Sequence, residues 1–316
     1  MKIGWVGFHV EGIPALEAVL EAGWTIDAFI TLRPDRAAKR SGATDYSPIC
    51  EKYGVPSYEI ANINDAEAIQ LLKTLDLDVV FVIGWSQIVR AEALQLTKLG
   101  MIGAHASLLP RNRGRAPINW VLIHGESETG NTLMWLDESV DSGMIIDQMV
   151  IPITAYDSCA TLYEKVAETN REMILRLLPR LAAGERPGSA QTHLDEPLLP
   201  GRRPEDGQAD WSLSNRSFYN FVRALARPYP GAFSTLEGKR WKIWQSALLP
   251  GEAPANSVPG EVIGAVYSPI AEACGQVVAC GKGTILLLEI EGEDGEIIKG
   301  SQLSDQPWQG KVWSRE

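Results

Sequence analysis

The chain has 316 residues, 45% hydrophobic and 22% charged, with a formal net charge of −11. That length suits two domains with cores of their own, and the acidic balance argues against a protein that grips a nucleic-acid backbone. No apolar window approaches the roughly 18 residues of a membrane span, and four scattered cysteines (Cys50, Cys159, Cys274, Cys280) form neither a CxxC pair nor a zinc pattern.

Those cysteines read as buried, reduced thiols of a cytoplasmic protein without a metal site. The opening MKIGWVGFHVEG has one lysine and only a short apolar run, unlike a signal peptide. Lys2 to Phe8 has the texture of a strand. Ile13, Leu16, Val19 and Leu20 follow at helical spacing, and the helix ends at Gly23. TIDAFITL reads as a second strand, RPDRAAKRSGATDYS as a polar loop, and Pro48 to Tyr53 as a helix leading into GVPSYEI. DAEAIQLLKTLD is helical, Leu77 to Gly84 is a strand of the fully buried type, AEALQLTKLG reads as a helix stopping on Gly100, and MIGAHAS as a further strand. This alternation implies a doubly wound, Rossmann-like α/β domain with a parallel sheet, whose ligands bind beyond the carboxyl ends of the strands. A strand–turn–strand and one long helix, about Ser158 to Ala183, follow. From about Gly184 to Gly207 the sequence loses any period and reads as a linker. After one more helix, short β-like runs separated by glycine turns suggest a small β-barrel. The expected division is 1–205 and 206–316.

His105 stands at the end of a predicted strand, before SLLPRNRGR, where proline and glycine forbid regular structure. Arg111, Arg113 and Arg115 follow it, a set suited to bidentate contacts with a phosphate or pyrophosphate. Asp141, in the VDSG turn, is a carboxylate that could pair with a histidine or relay a proton. The strand end IGWSQIV offers Gly84 for close backbone approach, with the polar side chains of Ser86 and Gln87. No GxGxxG, P-loop, HExxH or GxSxG occurs, so the reaction classes they mark lose their usual support.

HASLLPRNRGRAPINWVLIHGESETGNTLMWLDESVDSGMII resembles the signature of the folate-dependent formyltransferases: Asn-x-His, Ser-Leu-Leu-Pro, Arg-Gly, a downstream ETG and an Asp-x-Gly turn. GRRPEDGQADWS and VRALARPYPGAFSTLEGKRWKIW resemble the linker and C-terminal, OB-like barrel of the same family, so the resemblance covers nearly the whole chain. It implies transfer of a formyl group from N10-formyltetrahydrofolate to a primary amine. His105 and Asp141 would be the catalytic pair. The pterin would lie against Trp85, Ser86, Gln87, Ile88 and Val89 and the turn from Val140 to Gly143, and Ser107, Arg113, Arg115 and Asn119 would serve the acceptor. One position departs from the pattern: Gly103 stands where the family has asparagine, two residues before His105 and so on the same strand face. Loss of one oxyanion donor lowers a rate by roughly 10²–10³. The sequence leaves open whether Gln87, Ser86 or Asn131 replaces the amide, whether catalysis is slow or uses another one-carbon donor, or whether the protein only binds.

Two acceptor classes compete. NRGRAPINWVL and HGESETG resemble the sugar-nucleotide enzymes, and Arg115, with Arg202 and Arg203, would then meet phosphate or sugar. RPDRAAKR resembles a loop of the methionyl-tRNA enzymes, but that family's Gly-Lys-Lys run is replaced by SGATD. Residues 206–316 carry 10 Lys and Arg against 13 Asp and Glu, where a tRNA-binding domain should be basic. The expected partners are therefore small molecules, with no nucleic acid and no membrane, and with room for a homo-oligomer.

Overall fold

The computed structural model describes residues 1–314. The chain divides into two compact units. One comprises Met1–Pro117, Ser127–Ile153 and Thr161–Gly201; the other comprises Ile118–Glu126, Thr154–Ala160 and Arg202–Glu316.

In chain order the elements are β1 (Ile3–Val6), α1 (Ile13–Glu21), β2 (Ala28–Leu32), α2 (Pro34–Ala37), α3 (Ser47–Tyr53), β3 (Ser57–Ile60), α4 (Ala66–Leu75), β4 (Val79–Val82), α5 (Ala91–Leu94), β5 (Gly100–His105), α6 (Pro117–His124), β6 (Glu128–Trp135), β7 (Ile145–Pro152) and α7 (Cys159–Ala182). The seven strands form one sheet in the order β3-β2-β1-β4-β5-β6-β7. The first five run parallel, and β6 and β7 extend the sheet antiparallel. Strands β1 and β4 are buried along their whole length, as expected where helices cover both faces of a parallel sheet. Alternation divides their side chains. Trp5, Phe81 and Ile102 join Leu16 and Val19 of α1 and Ile174 and Leu178 of α7 in one core. Val6, Val80 and Met101 face the other way, onto Ile69 and Leu72 of α4.

The helix expected to run to Gly100 stops at Leu94. Gly100, at φ +127°, pairs with Val79 and already belongs to the sheet, so the ladder overrides the helical spacing. The sequence reading did not anticipate α6, although Pro117 occupies its first position, where a missing N–H costs nothing.

The second unit continues with α8 (Asn215–Ala224), β8 (Ala232–Leu236), β9 (Lys239–Leu249), β10 (Val262–Val266), β11 (Gly275–Ala279), β12 (Thr284–Gly292), β13 (Ile297–Lys299) and α9 (Ser301–Ser304). Its sheet runs β10-β11-β12-β9-β8, with β13 beside β12, and all pairings are antiparallel. The C-terminal segment joins the two sheet edges. Lys311 O accepts from Val262 N and Trp313 N donates to Gly260 O, while Ser314 exchanges both backbone bonds with Thr235 on β8. These bridges cover one end of each edge strand, a way in which a small barrel limits edge pairing. Trp211, Phe218, Trp308 and Trp313 fill its centre.

The four cysteines are buried and in no disulfide, and burial pushes the Cys50 thiol up to about 11. Among the described residues no helix is long and apolar enough to cross a membrane, and no group of three or more His, Cys, Asp and Glu side chains is placed to hold a metal ion.

Candidate active site

His105 ends β5 and is 8% exposed. Its Nε2 lies 2.9 Å from the carbonyl oxygen of Asn112. A carbonyl only accepts, so Nε2 carries a proton in this contact, and Nδ1 is the nitrogen that presents its lone pair whenever the ring is neutral. That Nδ1 is 3.6 Å from Oδ2 of Asp141. The same Oδ2 accepts the backbone N–H of Gly114 at 2.8 Å. One loop therefore grips both side chains, with the carbonyl of Asn112 on the histidine and the amide of Gly114 on the aspartate.

The gripping loop is unusual backbone. Asn112, Gly114 and Ala116 all have left-handed φ (58°, 113° and 53°), as does Asp141 at 51°. Such conformations in non-glycine residues are uncommon and cluster at functional sites. Gly114 is required for a second reason: a Cβ there would lie 2.5 Å from Leu199 O and 2.6 Å from Leu199 N. Leu199 makes both backbone bonds that hold the loop, to Arg113 O at 2.7 Å and from Arg115 N at 2.9 Å. The stretch beginning near residue 184 thus supports the site. In the same stretch, Gln191 Nε2 donates to Asp141 O at 2.8 Å and to Gly143 O at 2.9 Å, pinning the aspartate's turn. Nothing in the sequence marked Gln191, whose neighbourhood shows no period and no motif.

Of the residues expected at the acceptor, Ser107 is fully buried and donates its hydroxyl to Arg111 O; it shapes the loop. Asn119 is fully buried in the other compact unit, its amide donating to Ala224 O at 2.6 Å while its side-chain oxygen has no partner among the described residues. Arg113 donates to Leu194 O at 3.2 Å, and Arg115 lies against Gly201. Among the described residues neither has a carboxylate partner, so both guanidinium charges are available. Arg202, in the second unit, lies over the Trp120 and Phe221 rings and donates to Asp206 O; burial lowers its pKa. Arg203 takes part through its backbone N–H, which donates to Asp206.

Strands β4 and β5 pair as far as Val82↔Gly103, and Gly84, at φ +66°, follows at the carboxyl end of β4. The segment Trp85–Val89 leaves the sheet at that same carboxyl end. None of its backbone amides has a partner among the described residues, and Ser86 and Ile88 are exposed. The side chain of Gln87 is committed, accepting from Ile63 N and donating to Ala61 O. Trp85 packs edge-on against Phe8, with its indole N–H buried and unpartnered. Val140 is half-buried on the aspartate's turn, and Gly143 sits so close to Trp135 that a Cβ would lie 1.7 Å from its carbonyl oxygen.

Gly103 does not face a gap. A Cβ there would meet Cδ2 of Leu136 at 2.6 Å. The expected replacements for the amide are also placed otherwise. Gln87 is bonded as above. Asn131 neighbours Thr132, which pairs with His105, so it points to the opposite sheet face, where it donates to Thr169 and Asn170 of α7. Ser86 is exposed and makes no hydrogen bond among the described residues.

A formyl transferase family model matches residues 15–178, and the family's C-terminal domain model matches 202–306. The chain belongs to the formyl transferase family. Solved structures with which this formyl transferase shares its fold include HypX from Aquifex aeolicus in complex with tetrahydrofolic acid, at 17% identity and a TM-score of 0.63 over 95% of this chain and 45% of HypX. WlaRD, a sugar 3N-formyl transferase solved in the presence of dTDP and 5-N-formyl-THF, is 17% identical with a TM-score of 0.63, over 91% of this chain and 97% of WlaRD. An N-formyltransferase from Helicobacter canadensis in complex with folinic acid and dTDP-3-aminofucose is 18% identical, again at 0.63, over 91% of this chain and 99% of that one. This formyl transferase spans about half the length of HypX.

Proposed function

We propose that the protein is an N-formyltransferase that moves a formyl group from N10-formyltetrahydrofolate to the primary amine of a nucleotide-linked amino sugar. The observation that carries this reading is the His105–Asp141 pair, held by one loop at the carboxyl end of the sheet, the end at which the segment from Trp85 to Val89 also leaves β4 with its backbone amides unpartnered among the described residues. Folate-type ligands in HypX, WlaRD and the Helicobacter enzyme, and nucleotide ligands in the latter two, support it.

The residues fit a folate-type donor. The unpartnered amides from Trp85 to Val89 can read the edge of a flat heterocycle, and exposed Ile88 offers it an apolar contact. When bound, the donor supplies a formyl carbon attached to a nitrogen leaving group. The acceptor nitrogen forms its bond to that carbon as the bond to the donor nitrogen breaks; one amine proton is lost and the leaving nitrogen gains one. Nδ1 of His105 is the base that takes the amine proton, since Nε2–H is held by Asn112. Asp141 stabilises the imidazolium that results, at 3.6 Å. Arg113 and Arg115, without carboxylate partners, suit a diphosphate better than a neutral amine.

The test is a mass-spectrometric screen of amino-sugar nucleotides with N10-formyltetrahydrofolate, wild type beside His105→Ala. A gain of one formyl group on one nucleotide sugar, lost in the variant, is expected. Transfer to methionyl-tRNA instead, or none to any amine, would overturn the reading.

A further inference from the structure

Gly103 and His105 project from the same face of β5. On that face the place of a side chain at 103 is taken by Leu136, whose Cδ2, Cγ and Cδ1 would lie 2.6, 3.2 and 3.5 Å from an added Cβ. Strand β6 delivers the leucine. Met134 pairs with Gly103, and Leu136, two residues on, turns to the same face. Its backbone amide is anchored on Met101 O at 2.8 Å, and its side chain packs on the buried cluster that includes Val82, Val89 and Met101. The atoms nearest that place are carbons of Leu136, so a side chain at 103 requires Leu136 to move.

We propose that Gly103 and Leu136 are a matched pair. The leucine occupies the place of a 103 side chain and keeps the wall beside His105 apolar, so no side-chain amide from position 103 meets the charge rising on the formyl oxygen. The catalytic half of this statement rests on the formyl-transfer reading; the pairing does not. Leu136 is on this account a positioning residue. It sets what can stand beside the histidine and does not itself react.

A double-mutant cycle with two readouts tests it. In melting experiments Gly103→Ala drives a methyl into the leucine, and a fall of about 3 °C or more is expected. Leu136→Ala also lowers the melting temperature by leaving a cavity. The double alanine variant is expected to melt above Leu136→Ala, because the new methyl takes part of the vacated space. In rate experiments, Gly103→Asn with Leu136→Ala is expected to exceed Leu136→Ala alone by about 10-fold or more in kcat/KM, as one added oxyanion donor would give. Gly103→Asn with Leu136 in place is expected to give no gain. Additive melting shifts, or a Gly103→Ala protein as stable as wild type, would overturn the pairing. Coupled melting without the rate gain, or an equal gain with Leu136 in place, would overturn the catalytic half. If the wild type transfers no formyl group to any amine, the functional reading fails by itself, and the melting cycle still decides the pair.

Discussion

The two compact units hold their half-buried carboxylates in opposite ways. In the first, His105 and Asp141 are gripped by neutral backbone, the carbonyl of Asn112 and the amide of Gly114, and among the described residues the ion pair of Asp141 is with His105. In the second, Glu291 is surrounded by donors: Lys242 Nζ at 2.8 Å, Trp244 Nε1 at 2.8 Å and Arg227 Nη2 at 3.3 Å. Arg227 is itself shared with Glu289 at 2.8 Å and stacked on the Trp244 ring at 4.1 Å. A carboxylate neutralised by two cations is fixed in one state and adds to the stability of the fold. A carboxylate positioned by backbone keeps its charge for a partner whose protonation changes, which a proton-transfer site needs.

The sharpest way to break that contrast is Asp141→Asn. The neutral isostere still accepts the Gly114 N–H, so melting should move little. It cannot stabilise a protonated His105, and kcat should fall by about 10²–10⁴. A variant that loses stability and activity together would put Asp141 in the same class as Glu291. Gln191→Ala should show a smaller effect of the same kind. It removes both bonds that pin the turn, each worth about 0.5–1.5 kcal/mol, and leaves every reacting group in place. A roughly tenfold loss of kcat with KM little changed is expected, because a catalytic group held off its productive geometry loses rate before binding. Unchanged steady-state rates would show that backbone clamping from 141 to 143 is redundant.

Much of this was legible before the structure. The alternation of strand and helix textures gave the parallel sheet, and His105 was expected at the end of a strand, where β5 has it. The resemblance paired His105 with Asp141, which spacing alone could not do. What stayed hidden depended on contacts distant in sequence. Gln191 and Leu199 fall in a segment without period, and their role comes only from lying against residues 113–115 and 141–143. Leu136 looked like any apolar residue after a strand, and its meaning depends on the absence of a Cβ at position 103. The helix expected through Gly100 failed for a related reason: local spacing favoured a helix, and a strand partner at Val79 decided otherwise. Asn119 was named from its motif neighbours, and its burial within α6 and its bond to Ala224 O depend on contacts distant in sequence.

In the second unit a change of stability without a change of rate is expected, and its pH dependence has a definite sign. The Lys242 ammonium, with help from Trp244 and Arg227, holds the Glu291 carboxyl below its ordinary value of 4.5. A carboxyl whose pKa is lower folded than unfolded contributes stability above the unfolded value and loses it as pH falls through the folded one. Glu291→Gln should therefore lower stability near neutral pH by about 1–3 kcal/mol, the scale of charge-assisted hydrogen bonds. The gap from wild type should close as the pH is taken well below 4.5, because the wild-type carboxyl is then protonated as well. Formyl transfer near neutral pH should be unchanged at temperatures where both proteins are folded. A stability gap that persists at pH values where Glu291 is protonated would mean that the glutamine disturbs packing around Trp244 rather than removing a charge. The cluster would then owe its stability to shape, and its contrast with the Asp141 site would no longer be one of charge.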